Sequence, residues 1–144
     1  TFSCYNRDDF QRVSGIDNPW GLALDKNGLI FMTTDHKVFK IDLNALTIET
    51  ISGSFMPGST DGPARNAKFK NPTGIAVDNN GTIFVSDADS KSIRIIREGN
   101  VSTFGRGLFD GCYGLCFEHN TQNLLVATLT SVKRVDWKRE SVST

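Results

Sequence analysis

The chain has 144 residues, with 16 Lys and Arg against 16 Asp and Glu, so its formal net charge is zero. That length suits one domain with a real core, and the charge balance argues against a dedicated nucleic-acid binder, which carries a basic excess. No stretch approaches the ~18 consecutive apolar residues of a membrane helix, so no membrane insertion is expected.

In chain order, the first clear pattern is Asn18-Pro19-Trp20-Gly21-Leu22-Ala23-Leu24-Asp25-Lys26-Asn27-Gly28-Leu29-Ile30-Phe31. It returns as Asn71-Pro72-Thr73-Gly74-Ile75-Ala76-Val77-Asp78-Asn79-Asn80-Gly81-Thr82-Ile83-Phe84. A fainter third copy is Tyr113-Gly114-Leu115-Cys116-Phe117-Glu118 followed by Leu124-Leu125-Val126-Ala127. The spacing from Gly74 to Gly114 is the ~40-residue period of a propeller blade. The spacing from Gly21 to Gly74 is longer by an insertion.

Each copy predicts four short strands. The first is the Gly-Leu-Ala-Leu or Gly-Ile-Ala-Val run, ended by the turns Asp25–Gly28 and Asp78–Gly81, where Asp bonds the turn backbone and Gly supplies positive φ. The second strands are Leu29–Thr33, Thr82–Ser86 and Leu124–Thr128. The third are Val38–Asp42, Ile93–Arg97 and Val132–Asp136. The fourth are Thr47–Ser52, Asn100–Phe104 and Glu140–Thr144. Glu98-Gly99-Asn100 suits a hairpin. A continuously apolar first strand beside alternating outer strands fits sheets buried on both faces at their inner side. No amphipathic helix is expected. A short turn within Gly62–Lys70 is expected to tuck Ala64, Ala67 and Phe69 against the sheets. With no linker, the chain is one domain, 1–144, with blades at 18–52, 71–104 and 112–144.

Three cysteines, Cys4, Cys112 and Cys116, make a poor disulfide framework. Cys112 and Cys116 fall on one face of an extended segment but about 13 Å apart, beyond bridging range, and they lack zinc-site spacing. They are expected to be small buried side chains. Asp25, Asp78 and Glu118 recur at one position, where turn capping outranks metal binding. His36 and His119 fall in loops of opposite kinds and make a poor metal pair. No nucleophile elbow, phosphate loop or zinc motif occurs, so no catalytic residue, metal ligand or cofactor is expected. Asn80-Gly81-Thr82 and Asn100-Val101-Ser102 are glycosylation sequons.

With these residues in place, Gly58 to Asp78 resembles the signature of the NHL-repeat β-propellers, including the insertion Asp61-Gly62…Ala67…Phe69…Pro72…Gly74. Ile83-Phe84-Val85-Ser86-Asp87 and Ile93-Arg94-Ile95-Ile96 continue it. The family's usual Thr-Gly-Asn-His-Arg stretch is replaced by Ala88-Asp89-Ser90-Lys91-Ser92. The resemblance implies an all-β propeller of NHL type with three four-stranded blades per chain. Most relatives are six-bladed, so the ring is expected to be completed by head-to-tail dimerisation or by a longer chain. Val142-Ser143-Thr144 repeats Val101-Ser102-Thr103, which Phe104 follows, and the chain opens Thr1-Phe2. Residues 1–17 are therefore expected to complete a strand of a preceding or partner blade, as in a ring closed by a heterologous contact between two copies.

In such a blade the long loops share one face, and long loops on a rigid scaffold carry binding. That face is expected to present Trp20, His36, Lys37, Arg65, Lys68, Asp87, Asp89, Lys91, Arg106 and Tyr113, with Trp20 and Tyr113 at the channel mouth. Aromatics and Arg in such places are typical anchors. Three functions remain open. The first is a non-catalytic scaffold for a protein or peptide partner. The second is a metal-dependent propeller enzyme, lactonase or amidating-lyase-like, as the resemblance implies for some relatives. The third is RNA binding, supported by Lys133-Arg134 and Lys138-Arg139, which equally serve to guard an exposed edge.

Overall fold

The computed structural model describes residues 16–118 and 121–144. Cys4, His119 and all but the last two residues of the 1–17 segment therefore lie outside the described residues.

Thirteen β-strands form among the described residues, in three antiparallel sheets. The first sheet runs β1 (Leu22–Leu24), β2 (Ile30–Thr33), β3 (Lys37–Asp42) and β4 (Thr47–Gly53) in chain order. The second contains β5 (Gly62–Pro63), β6 (Pro72–Val77), β7 (Ile83–Asp87), β8 (Ser92–Arg97) and β9 (Asn100–Phe104), in the spatial order β5-β9-β8-β7-β6. The third is β10 (Leu115–Phe117), β11 (Leu124–Ala127), β12 (Val132–Asp136) and β13 (Ser141–Ser143). No described helix is long and apolar enough to cross a membrane.

Turn chemistry explains the meanders. Asp25 Oδ1 accepts from the N–H groups of Asn27 (2.8 Å) and Leu29 (2.9 Å), and Asp78 Oδ1 accepts from Asn80 (2.9 Å) and Thr82 (2.8 Å). The third copy caps with side chains, Glu118 Oε2 accepting from Thr121 Oγ1 (2.9 Å) and Asn123 Nδ2 (3.2 Å). These bonds hold the Glu118 carboxyl below its ordinary range, Asn123 first among them, with Arg134 adding to the effect. Between β8 and β9 only Glu98 and Gly99 intervene, both at positive φ (50° and 74°), the two-residue turn whose twist matches a hairpin.

The sheets stack in chain order, with first strands side by side: β1 lies against β6, and β6 against β10. Between the first and second sheets, Phe31 and Val38 pack against Ile75, Val85, Ile96 and Val101. Between the second and third, Phe84 and Ile93 meet Leu124, Val126 and Val135. There the Phe84 ring stands edge-on to Phe117 (5.4 Å) and Trp137 (5.1 Å).

The insertion between the first two sheets is part of the core. Ala64, Ala67 and Phe69 are buried in the first interface, as expected. Its Gly62–Pro63 also forms β5 on the outer edge of β9, a strand absent from the expected set. A proline is tolerated there because an outermost strand needs no further ladder donor. Cys112 is buried, but Cys116 is exposed, against expectation. Pleating turns it away from Leu115 and Phe117, onto the free face of the third sheet.

Candidate functional site

The loops that follow the second strands meet the loops that join the sheets. His36 Nδ1 lies 2.9 Å from the Lys70 carbonyl, Ser59 Oγ 2.7 Å from Ser90 Oγ, and Asn71 Nδ2 donates to Asp89 at 3.4 Å. Arg106 reaches the Ser59 carbonyl at 3.5 Å. In the third sheet, Asp110 accepts from Thr130 Oγ1 (2.6 Å) and the Leu129 N–H (3.2 Å), which lowers its pKa, chiefly through Thr130.

At the start of the first strands, a groove of about 320 Å³ runs across all three sheets. Trp20 and Tyr113 line it, 63% and 41% exposed, with Thr73 between them in sheet order and Gly21, Gly74 and Gly114 along it. Packing dictates two of these glycines. A Cβ on Gly21 would lie 2.2 Å from the Thr73 carbonyl oxygen, and one on Gly74 2.0 Å from that of Tyr113. The first strands thus approach backbone to backbone, leaving the large exposed surface of the groove to the two aromatic rings.

The other expected residues divide. His36 and Lys37 border a second groove of about 220 Å³, where Lys37 Nζ lies 3.3 Å from the centre of the exposed Phe55 ring. Asp89, Lys91 and Arg106 are exposed and Lys68 is half-buried. Arg65 is exposed but departs from the expected set, since the Ala64 N–H bonds the Gly99 carbonyl at 2.9 Å and so sets Arg65 beside the Glu98–Gly99 turn, at the opposite ends of the strands. Asp87 corrects the expected set, because it lies beneath this face rather than on it. Its Oδ1 accepts from the Asn71 N–H (2.8 Å), and its Oδ2 from the Lys70 N–H (3.0 Å) and Ser90 Oγ (3.0 Å). A carboxylate so enclosed holds the loop in place and offers nothing to a ligand.

The side chain missed by sequence reasoning is Arg94 of β8, which is 0% exposed. Its guanidinium donates to the Lys68 carbonyl (2.7 Å), the Thr60 carbonyl (2.9 Å) and Asp61 Oδ1 (2.8 Å), and sits 3.5 Å from Asp87 Oδ2. It also lies over the Phe69 ring. Asp61 extends the network to Thr103 Oγ1 at 2.6 Å. Arg94 therefore pins the long segment that runs from β4 to β6. The signal was a lone arginine in the run Ile93-Arg94-Ile95-Ile96, since Arg in an apolar strand is seldom fully buried unless paired.

Among the described residues, no three His, Cys, Asp or Glu side chains converge to hold a metal ion. The basic residues of the third sheet are engaged internally. Arg134 bonds Glu118 (2.6 Å), Lys133 bonds Thr144 (2.8 Å), Arg139 lies 3.7 Å from Asp136, and Lys138 lies over Trp137.

Comparison with known proteins places this geometry. The NHL repeat profile matches residues 69–96, which span β6, β7 and most of β8. The chain is 31% identical over 83 residues to the Arabidopsis thaliana protein SUPPRESSOR OF QUENCHING 1, chloroplastic, a match over 56% of this chain and 8% of that one. It is 36% identical over 87 residues to the probable peptidyl-alpha-hydroxyglycine alpha-amidating lyase of Caenorhabditis elegans, over 58% of this chain and 24% of that one. Among solved structures it superposes on a Bacteroides thetaiotaomicron structural genomics protein of unknown function (TM-score 0.66, 15% identity) over 88% of this chain and 35% of the other. It superposes on Kuenenia stuttgartiensis hydrazine synthase (TM-score 0.64, 14% identity) over 90% of this chain and 36% of the other. These two likenesses are of fold alone, and the chain spans about a third of either structure and a quarter or less of the two curated relatives. The chain therefore carries an NHL repeat in its second sheet, with fainter copies of the pattern on either side, and its three stacked antiparallel sheets have a β-propeller-like fold.

Proposed function

We propose that this chain is an arc of a propeller ring that binds a protein or peptide partner, without catalysis, through the loop-bearing face. The observation that carries this reading is the Trp20–Tyr113 groove: two exposed aromatic rings flanking a backbone-lined trough that crosses three sheets. Large aromatic surface on a rigid support gives contact area at little cost in conformational entropy, which is why such side chains anchor partners. Exposed Asp89, Lys91 and Arg106 on the same face supply a charged surround of both signs.

The test is selection from a phage-displayed linear peptide library against the whole chain, followed by titration of a selected fluorescent peptide. The double variant Trp20→Ala, Tyr113→Ala should weaken binding by about 30-fold or more, the size expected for losing two anchors. Asn79→Ala, in a turn at the opposite ends of the strands, should leave it unchanged. Peptides that bind the double variant as tightly as the parent would refute the groove as the site.

A second reading rests on the Caenorhabditis elegans relative named as a probable amidating lyase. In that case the chain supplies part of an enzyme whose metal ligands come from residues beyond the described set. Formation of the amidated peptide from a peptidyl-α-hydroxyglycine by this chain, abolished by a chelator, would favour it over the scaffold reading.

A further inference from the structure

The residues that line the Trp20–Tyr113 groove are all uncharged, although Asp89, Lys91 and Arg106 are exposed on the same face. Its backbone acceptors are already paired within the fold. The Thr73 carbonyl accepts from Thr33 Oγ1 at 2.7 Å, and the Tyr113 carbonyl from Ser86 Oγ. The Gly21 and Gly114 carbonyls accept from the N–H groups of Thr33 and Ala127 at 3.0 and 2.9 Å. The Thr73 hydroxyl is turned inward as well, 3.1 Å from Ser86 Oγ and 3.2 Å from the Tyr113 carbonyl.

The free hydrogen-bonding groups stand on the two rings. Trp20 and Tyr113 give their backbone N–H groups to the carbonyls of Thr33 and Ala127 at 3.0 and 2.9 Å, while the indole N–H and the phenol O–H bond no described residue. The Tyr113 ring is held in place: a Cβ on Gly111 would lie 3.0 Å from its edge and 3.2 Å from its hydroxyl oxygen. The groove therefore pairs donors with exposed aromatic surface, over a floor whose carbonyls are taken.

That inventory selects among ligands. A charged side chain would lose its water and find no counter-charge in the lining. An ordinary extended peptide would bring backbone N–H groups to carbonyls that already have donors, which is disfavoured. A run of prolines carries no N–H at all, presents every carbonyl as an acceptor and packs its rings on aromatic side chains. Its polyproline II helix has no internal hydrogen bonds and is preformed, so little freedom is lost on docking.

We infer that the groove takes a proline-rich segment of a partner in the polyproline II conformation, its rings on Trp20 and Tyr113 and its carbonyls accepting from the indole N–H and the phenol O–H. The inference rests on the groove being the partner site.

The probe is decaproline, compared with a Gly-Ser peptide of equal length, and the readout is the pair of indole N–H signals of the whole isotope-labelled chain by NMR. The chain has two tryptophans, and the Trp137 indole N–H is buried, so its signal is the internal reference. Decaproline should shift the Trp20 signal saturably and leave that of Trp137 in place, and the Gly-Ser peptide should move neither. Trp20→Phe and Tyr113→Phe keep the rings and remove the donors. Each should weaken binding of fluorescent decaproline about five-fold, the effect of one net hydrogen bond. Equal shifts with the Gly-Ser peptide, or full affinity in both variants, would overturn the inference. A Trp20 signal unmoved by millimolar decaproline but moved by a library-selected peptide without prolines would overturn it and leave the groove as the partner site. If neither peptide moves that signal, the groove falls as the site and the inference falls with it.

Discussion

Replacing Arg94 by Met keeps the length of the side chain and removes its charge, so it isolates what the guanidinium does. Three short bonds disappear, to the Lys68 and Thr60 carbonyls and to Asp61, and the Asp87 carboxylate loses its neighbouring cation. Removing one partner of a buried ion pair costs about 3–5 kcal/mol. Asp87 keeps two backbone N–H donors and the Ser90 hydroxyl, which places the expectation near the lower end, at ~3 kcal/mol. Against a total stability of about 5–15 kcal/mol this is a large loss. With a urea slope near ~2 kcal/mol per molar, the denaturation midpoint should fall by about 1.5 M. Hydrogen exchange should localise the effect, with amides of 54–71 losing protection and those of β11 and β12 keeping theirs. A midpoint within about 0.5 M of the parent, with loop protection unchanged, would refute Arg94 as the pin of this loop.

Other outcomes follow from the same geometry. Gly74→Ala and Gly114→Ala change the same repeat position, yet only the first drives a Cβ into backbone, 2.0 Å from the Tyr113 oxygen, while the nearest atom to the second is Ala127 Cβ at 3.6 Å. Thermal melts should therefore show Gly74→Ala destabilised by about 3 kcal/mol or failing to fold, and Gly114→Ala within about 1 kcal/mol of the parent. At about pH 8 iodoacetamide should label Cys116 and spare Cys112, whose thiol is pushed up to about 12 by burial first and the Asp87 charge second. Since the folded Cys112 pKa is raised above its ordinary 9.0, its contribution to stability is full below about pH 9 and lost as pH rises toward 12. Urea midpoints of the parent should fall over that window more steeply than those of Cys112→Ala.

The strand pattern was legible because each copy solves one backbone problem with the same residues. The capping Asp, the turn Gly and an alternation of two place twelve of the thirteen described strands within a residue or two of where they lie. The exception, β5, has no strand signal of its own. Gly62 and Pro63 become a strand because β9 offers an unpaired edge and Ala64 and Phe69 anchor the segment beside it. Cys116 was misplaced for a related reason: its pleat position packs against a neighbouring described sheet in the first two copies, as Ala23 and Ala76, and is exposed in the third. Asp87 looked like a loop carboxylate because nothing local announces that Lys70 and Asn71, far back in the chain, fold over it.

Function is harder to read than fold in such a chain because it depends on where the copies differ. The three first strands are interchangeable as backbone, so their shared residues, Gly and the apolar run, report only on packing. The differences are Trp20, Thr73 and Tyr113 at one position, Thr33, Ser86 and Ala127 at another, and an insertion before the second copy alone. The first set makes the groove aromatic at both ends and small in the middle. The second puts a hydroxyl that bonds the next sheet's backbone in the first two sheets, Thr33 to the Thr73 carbonyl and Ser86 to the Tyr113 carbonyl, and a methyl group in the third. The insertion accounts for Arg94. In the strand register Arg94 stands opposite Val85 as Phe39 stands opposite Met32 and Lys133 opposite Val126, so these three share one repeat position. Phe39 has no charge and Lys133 spends its own on Thr144 at the surface. Only in the second sheet does a long segment fold over that position and present carbonyls to it, and only there does the position hold a fully buried cation.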